Sequence, residues 1–318
     1  MTEEKIYDVV IVGGGIAGLS AGMYAGRLGM NAALITEMRG GTIVTTTTIE
    51  NWPGIKKTDG VSLAKSIEDH AASYDIKMFD AKVSKAEKSG DIFVAETEGG
   101  KTFKGKALIL ATGTDVKKLG VEGEEEFRGR GIHYCALCDG SFYKDKVVGV
   151  VGGSDSAAKE AILLTQWASK VYIIYRGKKI HPETSNMKRV EEKINEEKIE
   201  IINNTNVTEV VGDGGKLKKV VLDKEHKGSK ELELDGLFIE IGREPRSGLA
   251  KMLKVKLDEK DEIIIDHTGH TNVDGVFAAG DVTDSDFKQA IVSSGEGVVA
   301  AYNAYVFINN GRKRKKRK

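Results

Sequence analysis

Cysteine and proline are scarce in this chain of 318 residues, which holds two of the first and three of the second. Two cysteines exclude a disulfide-stapled scaffold, and they exclude a zinc site built from cysteine alone, which needs four. Three prolines exclude a proline-rich linker. No run reaches the roughly 18 apolar residues that a bilayer-spanning helix needs. The formal net charge is zero, with 48 basic and 48 acidic residues. The balance is uneven, however: the seven residues Arg312–Lys318 are all basic, so the remainder is net acidic. An acidic body excludes nucleic-acid binding by bulk charge, and the tail from Gly311 reads as a disordered, solubilising extension. The N-terminus shows no signal-type apolar stretch, and no membrane segment and a cytoplasmic location are expected.

Glycine, by contrast, is abundant, at 38 residues. One cluster follows the β-branched run Tyr7–Val12, which reads as a buried parallel strand. It is Gly13-Gly14-Gly15-Ile16-Ala17-Gly18, and the Ala-rich stretch Ile16–Leu28 then reads as a helix. A second strand, Ala32–Thr36, ends at Glu37. In such a unit the first glycine makes a tight turn, the second admits a pyrophosphate and the third lets helix and strand touch. The helix N-terminus supplies N–H donors for phosphate, and an acid about 20 residues on is placed for a ribose hydroxyl. Glu37 has that position, with a solvated loop acid as the plainer reading. The order strand, glycines, helix, strand, acid is specific for a dinucleotide.

The pattern recurs about 140 residues later. Lys146–Val151 leads into Gly152-Gly153-Ser154-Asp155-Ser156, a helix follows from about Ala158 to Trp167, and Lys170–Tyr175 is the next strand. Here Ser154 replaces the closely approached glycine, and the strand ends not in an acid but in Arg176, Lys178 and Lys179. Basic residues there suit a 2′-phosphate, so NADP(H) is expected over NAD(H), with a solvated basic loop as the plainer reading.

Between the two units lies Cys135-Ala136-Leu137-Cys138-Asp139. Three readings stand for this pair: half of a zinc site, two inert buried thiols, or a dithiol/disulfide couple. His133 alone among the six histidines lies near it, which leaves a zinc site short of ligands. Two nucleotide units flanking a CxxC suggest an electron path, so the redox couple is favoured and no metal is expected.

At this point the residues resemble the low-molecular-weight thioredoxin reductases, and the resemblance runs from Asp8 to about Phe307. It is carried by Gly40-Gly41-Thr42, Glu50-Asn51-Trp52-Pro53-Gly54, Ala111-Thr112-Gly113-Thr114, Gly129-Arg130-Gly131, the CxxC-Asp, Ala278-Ala279-Gly280-Asp281 and Lys288-Gln289-Ala290. The resemblance implies an α/β protein of two Rossmann-like, three-layer ββα domains, the second inserted into the first. The first (1–115 and 246–318) would hold FAD; the second (116–245) would hold NAD(P)H and carry the cysteines. FAD would be held by Gly13, Gly15, Ile16, Ala17, Gly18, Glu37, Gly40, Gly41, Thr42, Asn51, Val83, Ala111, Thr112, Gly113, Gly280, Asp281, Lys288, Gln289 and Ala290. NAD(P)H would lie on Gly152, Gly153, Ser154, Asp155, Ser156, Arg176, Lys178, Lys179 and Gly242.

In the catalytic couple Cys138 would face the flavin, Cys135 would attack the partner disulfide, and Asp139 would be the acid–base group. The partner implied is thioredoxin or a thioredoxin- or glutaredoxin-like protein, with Arg130 and Phe142 as candidate contacts, and the chain would form a homodimer. Thr42 stands where the family has Gln, Lys288 where it has Arg, and of its basic NADPH motif only Arg176 is in place. A deazaflavin or ferredoxin donor therefore remains an alternative, as does an FAD-binding interaction protein whose dithiol does not turn over.

Further strands are expected at Lys82–Thr97, Lys101–Leu110, Ile199–Asn203, Thr208–Val211, Leu217–Leu222, Leu232–Ile241, Glu262–Asp266 and Val276–Gly280. Helices are expected at Ser62–Tyr74, Val190–Glu197 and Ala290–Ile308.

Overall fold

The computed structural model describes residues 5–46 and 49–316; the side chains of Leu137, Cys138 and residues 311–316 are outside that description. The chain forms two compact units, one of Met1–Asp115 with Glu244–Lys318 and the other of Val116–Arg243. The second crossing thus falls two residues earlier than the sequence reading places it.

The first unit opens with β1 (Ile6–Val12), α1 (Ile16–Arg27), β2 (Ala32–Thr36), α2 (Gly60–Ala72), β3 (Lys77–Asp80), β4 (Val83–Ser89), β5 (Ile92–Thr97) and β6 (Thr102–Leu110). The chain leaves through β7 (Thr114–Val116). The second unit holds β8 (Ile132–His133), α3 (Ala136–Asp139), β9 (Val147–Val151), α4 (Asp155–Leu164), β10 (Lys170–Tyr175), α5 (Thr184–Asn195), β11 (Ile199–Asn203), β12 (Val207–Asp213), β13 (Lys216–His226), β14 (Ser229–Glu233) and β15 (Gly236–Ile239). The return runs through β16 (Arg243–Pro245), α6 (Gly248–Met252), β17 (Val276–Ala278) and α7 (Ala290–Lys316).

In the first unit β3, β2, β1, β6 and β17 run parallel, and β5 and β4 extend the sheet antiparallel. Alternation along the strands divides its two faces. Val9, Ile11, Leu34, Ile109 and Phe277 pack with α1 and α7, whereas Val10, Ile35, Leu108 and Leu110 pack with Phe93 and Phe103. The second unit repeats the plan as a five-stranded parallel sheet, β11-β10-β9-β15-β8, beside an antiparallel meander β12-β13-β14. Val148, Val150, Val171 and Ile173 face α4; Val151, Ile174 and Leu237 face the meander.

Three expectations are corrected. Leu232–Ile241 is two strands in different sheets, β14 and β15, because Leu234 N–H bonds to the Lys218 carbonyl and Asp235 N–H to that of Val147. Glu262–Asp266 forms no strand; Ile263 makes only isolated bridges to Leu257 and Thr283. The basic tail does not break from the last helix at Gly311: α7 continues to Lys316, since extending a formed helix costs little and cations suit its C-terminal end. Arg317 and Lys318 lie outside the described residues. Within α7, Ala290–Asn310 is long and apolar enough to cross a bilayer by length and composition, which the count of apolar runs does not register. Here Ala300, Ala301, Ala304 and Ile308 of this helix are buried in the cluster with α1.

Candidate active site

The first glycine turn is shaped by its neighbours. Gly13 has φ +113, and a Cβ there would run into the Ala111 carbonyl; one at Gly18 would run into the Gly13 carbonyl. These two glycines are required by packing alone. Gly15 is different. Its backbone is extended (φ −74), and a Cβ would find only Gly41 Cα at 3.8 Å and Gly40 O at 3.9 Å. The protein would tolerate a methyl group there, so the open space over Gly15 is room for a bound group. The α1 N-terminus beneath it has no side-chain cap and no acid in its first turn, which leaves N–H donors for an anion.

Most of the other residues expected around FAD meet this turn at the C-terminal ends of β1, β2, β6 and β17. Gly40 N–H bonds to Gly14 O at 2.8 Å, with Gly41 and Thr42 opening a short 3₁₀ turn beside it. Ala111 N–H bonds to Val12 O at 2.8 Å, and the Thr112 hydroxyl donates to Arg246 O at 2.8 Å. Gly113 O accepts from Arg246 N–H at 2.9 Å, and the Arg246 guanidinium reaches Glu37 at 3.4 Å. A Cβ on Gly280 would press on Ala17 Cβ at 2.8 Å, so Gly280 and Asp281 stand against the start of α1. Asn51 donates to Gln289 Oε1 at 3.0 Å, just before Ala290 opens α7. Lys288 donates to Asp281 O (3.0 Å) and Thr283 O (2.6 Å) and pairs with Glu262 at 2.9 Å, so its ammonium braces the 281–283 loop. Val83 begins β4, opposite Thr97.

The second glycine turn has a different floor. In the first unit the residue that ends β2, Thr36, packs on Gly14; in the second the corresponding Tyr175 lays its ring on Gly153 and Gly177. Ser154 caps α4 without a side-chain bond, and Asp155 places a carboxylate in the first turn. Burial pushes that carboxyl up, but bonds from Lys159, Asn186 and the Glu183 N–H outweigh it and hold Asp155 below the ordinary range. Ser156, Arg176, Lys178 and Lys179 are exposed, while Gly242 O accepts from Lys117 N–H at 3.0 Å.

The redox loop starts after β8. Cys135 is half-buried and disulfide-bonded. Asp139 N–H bonds to Cys135 O at 3.2 Å, which closes the single turn of α3. The side chain of Cys138, and with it the expectation that this sulfur faces a flavin, lies outside the described residues. Gly140 brings the end of the loop onto Trp167, whose ring a Cβ would meet at 2.8 Å. Asp139 Oδ2 lies 2.9 Å from His133 Nδ1, and His133 Nε2 lies 2.7 Å from the Tyr143 hydroxyl. Burial pushes Tyr143 up to about 12.

Two acids under the loop were not singled out from the sequence. Glu160 Oε1 accepts from Ala136 N–H at 3.0 Å, between the cysteines, and Glu160 shares a side-chain hydrogen bond with Glu240. Burial raises Glu160. Glu240 is pushed up to about 8, first by burial and then by the Glu160 charge, with Arg243 opposing. Two carboxyls in one such space resist ionising together. Neither acid belongs to a motif, because their meeting depends on how α4 and the end of β15 pack.

A duplicated dinucleotide fold with a disulfide placed just ahead of its second copy defines a pyridine nucleotide-disulphide oxidoreductase. The model of that family matches residues 7–297, and the chain belongs to it. The chain resembles a thioredoxin reductase of Listeria innocua, at 37% identity over 309 residues, which cover 96% of this chain and 95% of that one. Among solved structures, the thioredoxin reductase of Lactococcus lactis in its FR conformation aligns with a TM-score of 0.90 at 35% identity, covering 96% of this chain and 99% of its own. The thioredoxin reductase of T. acidophilum aligns with a TM-score of 0.88 at 38% identity, covering 95% and 99%.

Proposed function

We propose that this chain is an FAD-dependent disulfide reductase that passes electrons from a reduced nicotinamide cofactor, through the Cys135–Cys138 couple, to thioredoxin or a thioredoxin-like protein. The observation that carries the reading is the disulfide-bonded Cys135 immediately ahead of a one-turn helix whose Asp139 is paired with a buried histidine. The open cradle over Gly15 fits the pyrophosphate of FAD, and Glu37 directly follows β2, where a ribose would lie. Bound there, FAD supplies the conversion between hydride and thiol chemistry. The protein's own part is to present the thiols, to move their protons through Asp139 and to offer a docking face. Arg130 and Phe142 are exposed beside the loop and suit that face; Phe142 is 70% exposed.

NADPH is the proposed donor, with Gly152, Gly153 and the bases Arg176, Lys178 and Lys179 holding it. A second copy of the chain is the proposed partner in a homodimer, supported by Tyr302 and Phe307, which α7 leaves exposed. A couple that cycles through the dithiol suits the reducing cytoplasm.

Reductive titration tests the core of the proposal. The FAD-loaded protein should take up four electrons, two in flavin and two in the disulfide, and Cys135→Ser should take up two. Uptake of two electrons by the unaltered protein would refute it. Stopped-flow bleaching by NADPH, NADH and a reduced deazaflavin in turn identifies the donor.

A further inference from the structure

His133 ends β8 and is 7% exposed. A buried imidazole is most simply a packing group, and its ring does stack on Phe238, with centroids 5.3 Å apart. Packing alone, however, does not account for both of its nitrogens. Nδ1 faces Asp139 at 2.9 Å, and Nε2 faces Tyr143 at 2.7 Å. The Tyr143 ring is itself seated deliberately close: a Cβ on Gly236, the first residue of β15, would overlap it. Tyr143 keeps its proton through the neutral range because burial raises it. It therefore donates to Nε2, which leaves Nδ1–H to donate to the Asp139 carboxylate. If the ring takes a second proton, Nε2–H donates to the phenol oxygen instead, and Nδ1–H stays on the carboxylate. Both ring nitrogens of His133 have a partner in either state. The other charges facing this chain are Asp235 and the Lys146 ammonium at Tyr143, and Glu160 at Asp139.

We propose that His133 is the positioning residue of the dithiol's acid–base group: held between Tyr143 and Asp139, it orients the Asp139 carboxyl and shares the proton that Asp139 carries. The inference rests on the dithiol reading above. Reduction of a partner disulfide breaks one S–S bond in the partner and forms one between Cys135 and Cys138. Two electrons leave the dithiol with that exchange, and its two protons end on the two partner thiols. Asp139 takes a proton from an attacking thiol and returns it to a leaving thiolate; His133 shares it meanwhile. A lone carboxylate is a weak acceptor for a thiol proton at neutral pH, whereas an imidazole bonded to it can hold that proton.

The test needs neither flavin nor nucleotide. The full-length protein is reduced with dithiothreitol, desalted and mixed with 5,5′-dithiobis(2-nitrobenzoate), and thionitrobenzoate release is followed across pH. His133→Gln, Asp139→Asn, the double variant and Cys135→Ser are compared. His133→Gln should slow release at neutral pH by about tenfold or more. It should also move the acid limb of the profile up towards the ordinary thiol value of about 8.5. The double variant should be no slower than Asp139→Asn, because the two residues act as one unit. An unchanged pH profile in His133→Gln, or losses that multiply in the double variant, would overturn the proposal. If His133→Gln does not fold, Tyr143→Phe, which removes one oxygen, decides: a limb shifted the same way supports the relay, and an unmoved limb overturns it. Release by the unaltered protein that Cys135→Ser does not abolish would instead sink the dithiol reading, and the inference with it.

Discussion

Replacing Glu240 by Gln should make this protein more stable in alkaline solution while changing little in acid. Glu240 shares a largely buried space with Glu160, and it is pushed up to about 8 by burial and by the Glu160 charge. In the unfolded chain the same carboxyl ionises near its ordinary value of 4.5. Between those values the folded protein holds a proton that the unfolded chain has released. Stability is therefore full below the unfolded value and is lost as pH rises towards the folded one. Each pH unit in that window costs about 1.4 kcal/mol. From pH 5 to pH 8 the loss has a ceiling of about 4 kcal/mol, or roughly 10 °C in melting temperature. The amide resembles the protonated acid in shape and carries no proton to lose. Thermal melts by circular dichroism across that range should show a falling Tm in the unaltered protein and a flatter course in Glu240→Gln, the curves meeting near pH 5. Parallel curves would refute the reasoning, because the carboxyl would then ionise at no folding cost.

Two further outcomes follow from the first unit. Gly15→Ala should leave the melting temperature of the flavin-free protein unchanged and weaken FAD binding, measured by fluorescence titration, by at least about tenfold, because the added methyl group meets protein atoms only at ordinary contact distance but occupies the ligand's space. Unimpaired FAD binding would place the cofactor elsewhere. Lys288→Met strands the Glu262 carboxylate and two loop carbonyls; a loss of about 2 kcal/mol in denaturant unfolding is expected, with Lys288→Arg recovering most of it.

The first nucleotide unit was legible because its signals are local and agree: Val9–Val12 is a buried strand, the glycines follow at once, and helix and second strand come within one short stretch. Beyond the glycine turn and Glu37, the first-unit residues expected around FAD are gathered only through the resemblance, since Asn51 and Gln289, which bond in the structure, share no local pattern. Boundaries were lost where alternation is ambiguous. The run from Leu232 to Ile241 alternates at first and then turns apolar at Leu237–Ile239, and Asp235-Gly236, where the Asp235 carboxylate accepts from Val147 N–H, marks where one sheet ends and another begins. α5 starts at Thr184, ahead of the charged stretch read as helical, because its first turn carries no strong apolar stripe. Around the cysteines, the sequence alone suggests His133 only as a candidate zinc ligand. Its adjacency to the CxxC-Asp was the available signal; the choice of Asp139 over a metal was not, because it depends on where Tyr143 and Phe238 hold the ring.

The split arrangement of the first unit has a consequence for biosynthesis. The second unit is complete once residue 243 has been made, and its sheet, α4 and meander need nothing further along the chain. The first unit begins earlier yet finishes later: β17 pairs with β6, and α7 covers α1, where a Cβ on Gly297 would strike the Ala17 carbonyl. On the ribosome, the glycine turn that the chain makes first therefore waits, with the apolar side of α1 uncovered, while the inserted unit folds ahead of it. The thiols are thus in place before the first nucleotide cradle has its final wall.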